Sequence, residues 1–224
     1  VTGLSRDAGG SGNPSPYTAR GCFHGVRAAL EEAFGSPSFK GKRILIQGVG
    51  AVGGRLAELL KEAGAHVIIC DINEVRVADL SRKHGYEVVA DAKHLDTACD
   101  VYSPCARGAT LNDTTIPKLK CKAIAGAANN QLMEPKHADV LKQNGIVYTP
   151  DYVINAGGII NVSMEMLPGG YDEAKAIAKI DRVYDNLKQV FSIAREQKIS
   201  THAAAEKLGD QRLAAGRTAK AALR

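Results

Sequence analysis

The chain has 224 residues, 45% hydrophobic and 24% charged, which suits a globular domain large enough to bury a sizeable core. Its net charge of +5 comes from lysines and arginines interspersed with acids, as in DEAKAIAKIDR (172–182); these read as solvated helix faces, and with no Trp and scattered Tyr and Phe no nucleic-acid surface is expected. No apolar run approaches the roughly 18 residues of a membrane span, and no basic start or apolar core marks a signal peptide, so no membrane partner is expected either.

Residues 1–15 are rich in Gly, Ser and Pro and read as a loop. A helix is expected from Ser15 or Pro16 to Phe34, with Val26, Leu30, Ala33 and Phe34 at helical spacing and Gly35 as its stop. Strands and helices then alternate. RILIQ (43–47) and HVIICD (66–71) are short apolar runs of the buried-strand type. AVGGRLAELLKEA (51–63) and EVRVADLSRKH (74–84) are helical segments, each ended by a glycine. EVVA (87–90), CDVYS (99–103), KAIAG (122–126) and IVYT (146–149) suggest four more strands, with short helices in LNDTTIPKL (111–119) and MEPKHADVLKQ (133–143).

This rhythm predicts an α/β fold: a Rossmann-type doubly wound parallel sheet of about six strands, with helices on both faces. Beyond it, GIINVSMEML (158–167) reads as helical. Residues 171–197 read as one long amphipathic helix, with Ile177, Ile180, Val183, Tyr184, Leu187, Val190 and Phe191 on one face. A last helix is expected over 200–215, capped by Ser200 or Thr201, with fraying in the tail 214–224. The expected division is a hinge loop and helix (1–40), a dinucleotide-binding core (41–150) and C-terminal helices completing the domain (151–224).

Gly48, Gly50 and Gly53 spell G-x-G-x-x-G between a strand and a helix. In that context the first glycine permits a tight turn, the second lets the backbone approach a pyrophosphate, and the third lets the helix pack on the strand. The helix start then offers free N–H groups to the anion. Asp71 ends the second strand 18 residues past Gly53, near the ~20-residue offset of a ribose-binding acid. A carboxylate there repels a 2′-phosphate, and the first arginine beyond it is Arg76, so NAD is the expected cofactor rather than NADP. Asp71 as a helix N-cap is compatible with the same role.

The other loops at strand ends are SPCARG (103–108) and GAANNQ (126–131), both rich in small residues. Cys105 is either a nucleophile or a lining residue. Asn129 and Asn130 either cap the next helix or reach the ribose or nicotinamide. Asn155, before Ala-Gly-Gly, either serves turn chemistry or presents an amide at the open end of the sheet. Five cysteines (Cys22, Cys70, Cys99, Cys105, Cys121), odd in number and without CxxC, read as reduced thiols and suggest a cytoplasmic setting. The histidines form no HxxxH or HxH pair, so no metal site is expected.

Taken in order, SGNPSPYTARG, IQGVGAVGG, CDIN, VYSPCARGATLND, IAGAANNQL and YTPDYVINAGGIINV closely resemble segments of the NAD-dependent amino acid dehydrogenases of the glutamate/leucine/phenylalanine/valine dehydrogenase superfamily, nearest to its leucine-specific branch. That resemblance implies reversible oxidative deamination of an apolar L-amino acid to a 2-oxo acid and ammonia, in a homo-oligomer. It implies Thr18 on the nicotinamide carboxamide and Gly48, Val49, Gly50, Ala51, Val52 and Gly53 around the pyrophosphate. Asp71 with Ile72 would take the ribose, and Cys105, Ala106, Ala127, Ala128 and Asn129 would line the remainder. Asn155 would sit beside both nicotinamide and the substrate amino group. Leu187 and Val190 would form the side-chain pocket, against helix core as their plain alternative.

The superfamily's second, catalytic domain carries a GGGK-type lysine motif that does not occur here, and the chain does not start with Met. The expectation is therefore a cofactor-binding domain without its N-terminal catalytic partner, holding no catalytic residue and inactive alone. A free-standing NAD-binding module of regulatory or structural role is the alternative. A shikimate-type dehydrogenase is a third reading, disfavoured by the AGAANNQ and NAGG loops. Arg107 departs from the small or apolar residue usual at its position; it either contacts cofactor phosphate or points to solvent.

Overall fold

Burial on both faces shapes the sheet. Ile44, Leu45 and Ile46 of β1 (Arg43–Gln47) and Ile68, Ile69 and Cys70 of β2 (His66–Cys70) are all fully buried, as in strands covered by helices on either side. The structure, a computed structural model, describes residues 2–222, with side chains through residue 218. In chain order the elements are α1 (Ser15–Phe34), β1, α2 (Ala51–Glu62), β2, α3 (Glu74–His84), β3 (Glu87–Val88), β4 (Val101–Pro104), β5 (Ala123–Ile124), α4 (His137–Gln143) and β6 (Val147–Tyr148). There follow α5 (Asp151–Ile154), α6 (Gly157–Ser163), α7 (Glu173–Asp181), α8 (Val183–Gln197) and α9 (Thr201–Ala222).

The six strands are parallel and lie in the order β3-β2-β1-β4-β5-β6. That is the Rossmann-type order, in which the chain reverses direction across the sheet between β1 and β4 and opens a crevice at their C-terminal ends. Period-2 alternation divides the core. Ile44, Ile46, Val67 and Ile69 pack with α1, α2 and Leu187 and Phe191 of α8. Leu45, Ile68, Cys70 and Tyr102 pack on the other face with Leu141 of α4. The segments before residue 41 and after residue 150 therefore share the core of the strands.

Several elements differ from expectation. The segment 171–197 forms two helices: α7 starts after Asp172, whose side chain accepts from the Lys175 N–H at 3.0 Å, and ends before Arg182, where α8 takes over. The apolar stripe runs on across this one-residue break, which is why the sequence reads as a single helix. The last helix, expected over 200–215, runs to Ala222 among the described residues, through residues of good helix propensity such as Ala, Lys and Arg. In 111–119 only a 3-10 turn forms, Ile116–Lys118, and β3, β5 and β6 shrink to two residues each. All five cysteines are free thiols. Among the described residues, no helix is long and apolar enough to cross a membrane.

Candidate functional site

The loop leaving β1 shows why three glycines are needed. Gly48 has φ +93°, a left-handed value, and its N–H donates to the Cys70 carbonyl at 2.8 Å. A Cβ at Gly48 would meet Ala106 Cβ at 2.6 Å, and one at Gly53 would collide with the Gly48 carbonyl oxygen. A Cβ at Gly50 would meet nothing within 4 Å. Two glycines thus serve the protein's own packing, while the third leaves the space above the loop clear. Gly50 is also the N-cap of α2, with no side chain bonded to the helix's first N–H groups. The exposed Ala51 and half-buried Val52 open that helix, so its positive end faces the crevice. Val49 is buried and contributes its N–H, which donates to Asp71 Oδ2 at 2.8 Å.

That bond ties the end of β2 to the glycine loop. The other Asp71 oxygen accepts from the Asn73 N–H at 2.9 Å. Asp71 does not cap α3; Asn73 does, accepting the Arg76 N–H at 3.0 Å. Arg76 comes within 3.7 Å of Asp71 Oδ2, a cation beside the acid that sequence distance alone did not bring there. The neighbouring Ile72 is 71% exposed and, with Asp71, lines a groove of about 720 Å³ beside α3.

The loops after β4 and β5 brace one another. Cys105 N–H donates to the Gln47 carbonyl at 2.7 Å and Ala109 N–H to the Asn130 carbonyl at 2.6 Å. Ala106 and Arg107 are exposed, and Arg107 pairs with no acid among the described residues. Cys105 Sγ sits 3.5 Å from Ser103 Oγ, and burial pushes its thiol up, which disfavours the nucleophile reading. Within the second loop, the fully buried Gln131 donates its amide to the Gly126 and Ala128 carbonyls at 2.8 and 2.9 Å. Its backbone N–H donates to Asp151 Oδ2 at 3.0 Å. Gln131 and Asp151 were not singled out from sequence, because an internal prop carries no motif. Asn129 and Asn130 do not cap the next helix. Asn130 adopts a left-handed turn at φ +51°, and Asn129 Oδ1 accepts from Asn155 Nδ2 at 2.6 Å. Asn155 also donates to the Ala127 carbonyl at 3.2 Å.

These residues border a cleft of about 820 Å³, whose walls include Thr18, Val52, Ala127, Asn129, Asn155, Ile159 and Val162. α6 approaches α1 through glycine: a Cβ at Gly158 would meet Thr18 Oγ1 at 2.5 Å. Thr18, Val52 and Asn155 thus border one cleft, and Asp71 is tied to the glycine loop through the Val49 N–H.

A profile of the Glutamate/Leucine/Phenylalanine/Valine dehydrogenase family matches residues 9–79 and 69–220. The chain belongs to that family. It is 47% identical over 220 residues to leucine dehydrogenase of Geobacillus stearothermophilus, covering 98% of this chain and 59% of the relative. It is 42% identical over 213 residues to phenylalanine dehydrogenase of Thermoactinomyces intermedius, covering 94% and 58%. The crystal structure of L-tryptophan dehydrogenase from Nostoc punctiforme superposes with a TM-score of 0.89 at 40% identity, over 92% of this chain and 63% of that one. The chain thus spans about three-fifths of the length of the relatives it matches.

The structure places the two residues that the resemblance assigns to the side-chain pocket away from this cleft. Leu187 and Val190 are 0% and 1% exposed and do not border the cleft. Leu187 packs into the main core, and Val190 packs against Ala204 and Ala205 of α9. The apolar residues on the cleft wall are instead Ile159 and Val162, three apart on α6. The signal was present in GGIINV, directly after Asn155, but that stretch reads equally as an ordinary buried helix.

Proposed function

We propose that these 224 residues are the NAD-binding part of an L-amino acid dehydrogenase acting on an apolar amino acid. The observation that carries this reading is the glycine loop locked to Asp71 through the Val49 N–H at 2.8 Å, with Gly50 left open above the helix N-terminus. In this reading Gly48 to Gly53 hold the pyrophosphate on the first turn of α2. Asp71 accepts the adenosine ribose hydroxyls, Ile72 borders the adenosine, and Ala106, Ala127 and Ala128 let the chain lie close. Cys105 stays a lining residue. Thr18 and Asn155 orient the carboxamide and the substrate amino group. Ile159 and Val162 contact the apolar side chain. NAD, when bound, supplies the hydride acceptor.

No lysine lines the cleft among the described residues. In this reading water activation rests on groups from outside these elements, and the chain alone is expected to be inactive. That same observation favours the second reading, an NAD-binding module without catalysis. Calorimetric titration with NAD and NADP, beside an assay with L-leucine, separates the cases. NAD binding without turnover is expected. Absence of NAD binding overturns both readings, and robust 2-oxo acid formation by this chain overturns the assignment of catalysis elsewhere.

A further inference from the structure

At the end of β2 the sheet is covered by a turn of 3-10 helix, Asp91–Asp96. Three residues per turn eclipse positions i and i+3, so Asp91 and His94 rise on one side of that turn, over Cys70. One ligand-type atom from each of Cys70, Asp91 and His94 lies within 4.8 Å of the others.

The hydrogen bonding of this cluster is incomplete. Asp91 Oδ1 is sealed from solvent without a partner, and so is the hydroxyl of Tyr102. Tyr102 is 1% exposed, and its ring stacks on His94 with centroids 5.8 Å apart. The Cys70 thiol reaches only the Ile46 carbonyl, at 3.8 Å. His94 Nδ1 comes within 3.8 Å of that oxygen but is bonded to the Asp91 backbone carbonyl. A carboxylate oxygen sealed from water without a hydrogen-bond donor is costly, and a divalent cation would supply what it lacks. In the second such cluster (Asp113, Glu134 and His137) both nitrogens of His137 are engaged, with Glu134 N at 3.0 Å and Asp113 at 3.2 Å, whereas in the first only Nδ1 of His94 is hydrogen-bonded among the described residues.

We propose that Cys70, Asp91 and His94 form a binding site for a borderline-soft divalent cation of the zinc type. One sulfur, one nitrogen and one oxygen donor match the preferences of zinc, and three protein ligands leave a fourth position for water. As the S–metal bond forms, the thiol proton leaves to solvent. Neighbouring ligands of a zinc tetrahedron lie roughly 3.5 Å apart, so binding draws the three side chains together by small side-chain rotations. Entry is through the groove of about 720 Å³ that has Asp91 on its wall. The ion would clamp the 3-10 turn onto the end of β2, one residue before Asp71. Sequence spacing hides the set, because β2 and the turn supply its members separately.

The test is titration of the chelator-treated chain with Co²⁺, followed by absorption, then competition with Zn²⁺. One equivalent of Co²⁺ with a thiolate-to-metal charge-transfer band is expected, displaced by Zn²⁺. The band should vanish in Cys70→Ser, and affinity should fall at least tenfold in His94→Gln and in Asp91→Asn. Zn²⁺ should raise Tm in the wild type more than in His94→Gln. Absence of the band, its survival in Cys70→Ser, or unchanged affinity in His94→Gln overturns the proposal. If Cys70→Ser fails to fold, the partly exposed His94 and Asp91 variants still decide it.

Discussion

Asn155 donates its side-chain amide to Asn129 Oδ1 at 2.6 Å, joining the loop after β5 to the end of α5 across the mouth of the cleft. This bond sets one edge of the cleft and lies at its nicotinamide side in the proposed reading. Asn155→Ala should weaken NAD binding by about 1 kcal/mol, the usual net worth of a hydrogen bond. ADP-ribose, which lacks nicotinamide, should bind within twofold of wild type. Calorimetry with both ligands checks this, and equal losses would place Asn155 in loop support alone.

Asp71→Ala should cost about 1–3 kcal/mol in NAD affinity, since it strips the acceptor from the ribose and from the Val49 and Asn73 N–H groups. It should also narrow the preference over NADP. Arg76, 3.7 Å from Asp71, already offsets part of the carboxylate's charge. Arg76→Ala should therefore weaken NADP more than NAD. The four dissociation constants, measured at one salt concentration, decide whether Arg76 acts on the 2′ position.

Gly50→Ala and Gly53→Ala should separate binding from stability. An added Cβ at Gly53 runs into the Gly48 carbonyl, so overpacking of about 1–3 kcal/mol and a lower Tm are expected. At Gly50 the added methyl enters open space, so Tm should hold while NAD affinity drops at least tenfold. Urea unfolding and NAD titration on each variant give the two readouts.

Leu187→Ala should destabilise by about 2–5 kcal/mol, because it leaves a cavity in the shared core. Ile159→Ala, at a residue 69% exposed, should change stability by less than about 0.5 kcal/mol. Comparable losses at both positions in urea unfolding would contradict the cleft assignment of Ile159.

Acid should find a weak point at α1. His24 Nε2 lies 3.0 Å from Asp181, and Arg20 pairs with the same carboxylate through Nε at 2.5 Å. Burial holds the His24 pKa below its ordinary 6.5, against the opposing pull of Asp181. A depressed folded-state value means stability that is complete above 6.5 and lost as pH falls through the folded value. The Arg20 hydrogen bond holds Asp181 below 3.8, so its contribution is lost only under more acidic conditions, by the same sign. His24→Gln should flatten the upper step and leave the lower one, as read by urea midpoints across pH.

The alternation of apolar runs and glycine-stopped helices was enough to read a parallel sheet, because burial on both faces and helix termination are local requirements of the chain. Gly48, Gly50, Gly53 and Asp71 were legible for the same reason: a tight turn and a strand end each constrain residue type at fixed spacing. Long-range packing decided the rest. Whether an apolar helical residue faces a core or a cleft depends on what lies opposite, so Leu187 and Ile159 could be told apart only once α6, α8 and the sheet were assembled. The break at Arg182 is invisible to periodicity because the stripe continues through it. Arg76 beside Asp71, Gln131 beneath its loop and the Cys70–Asp91–His94 cluster are side-chain meetings set by chain path. No spacing rule relates their members, and only the folded arrangement brings them together.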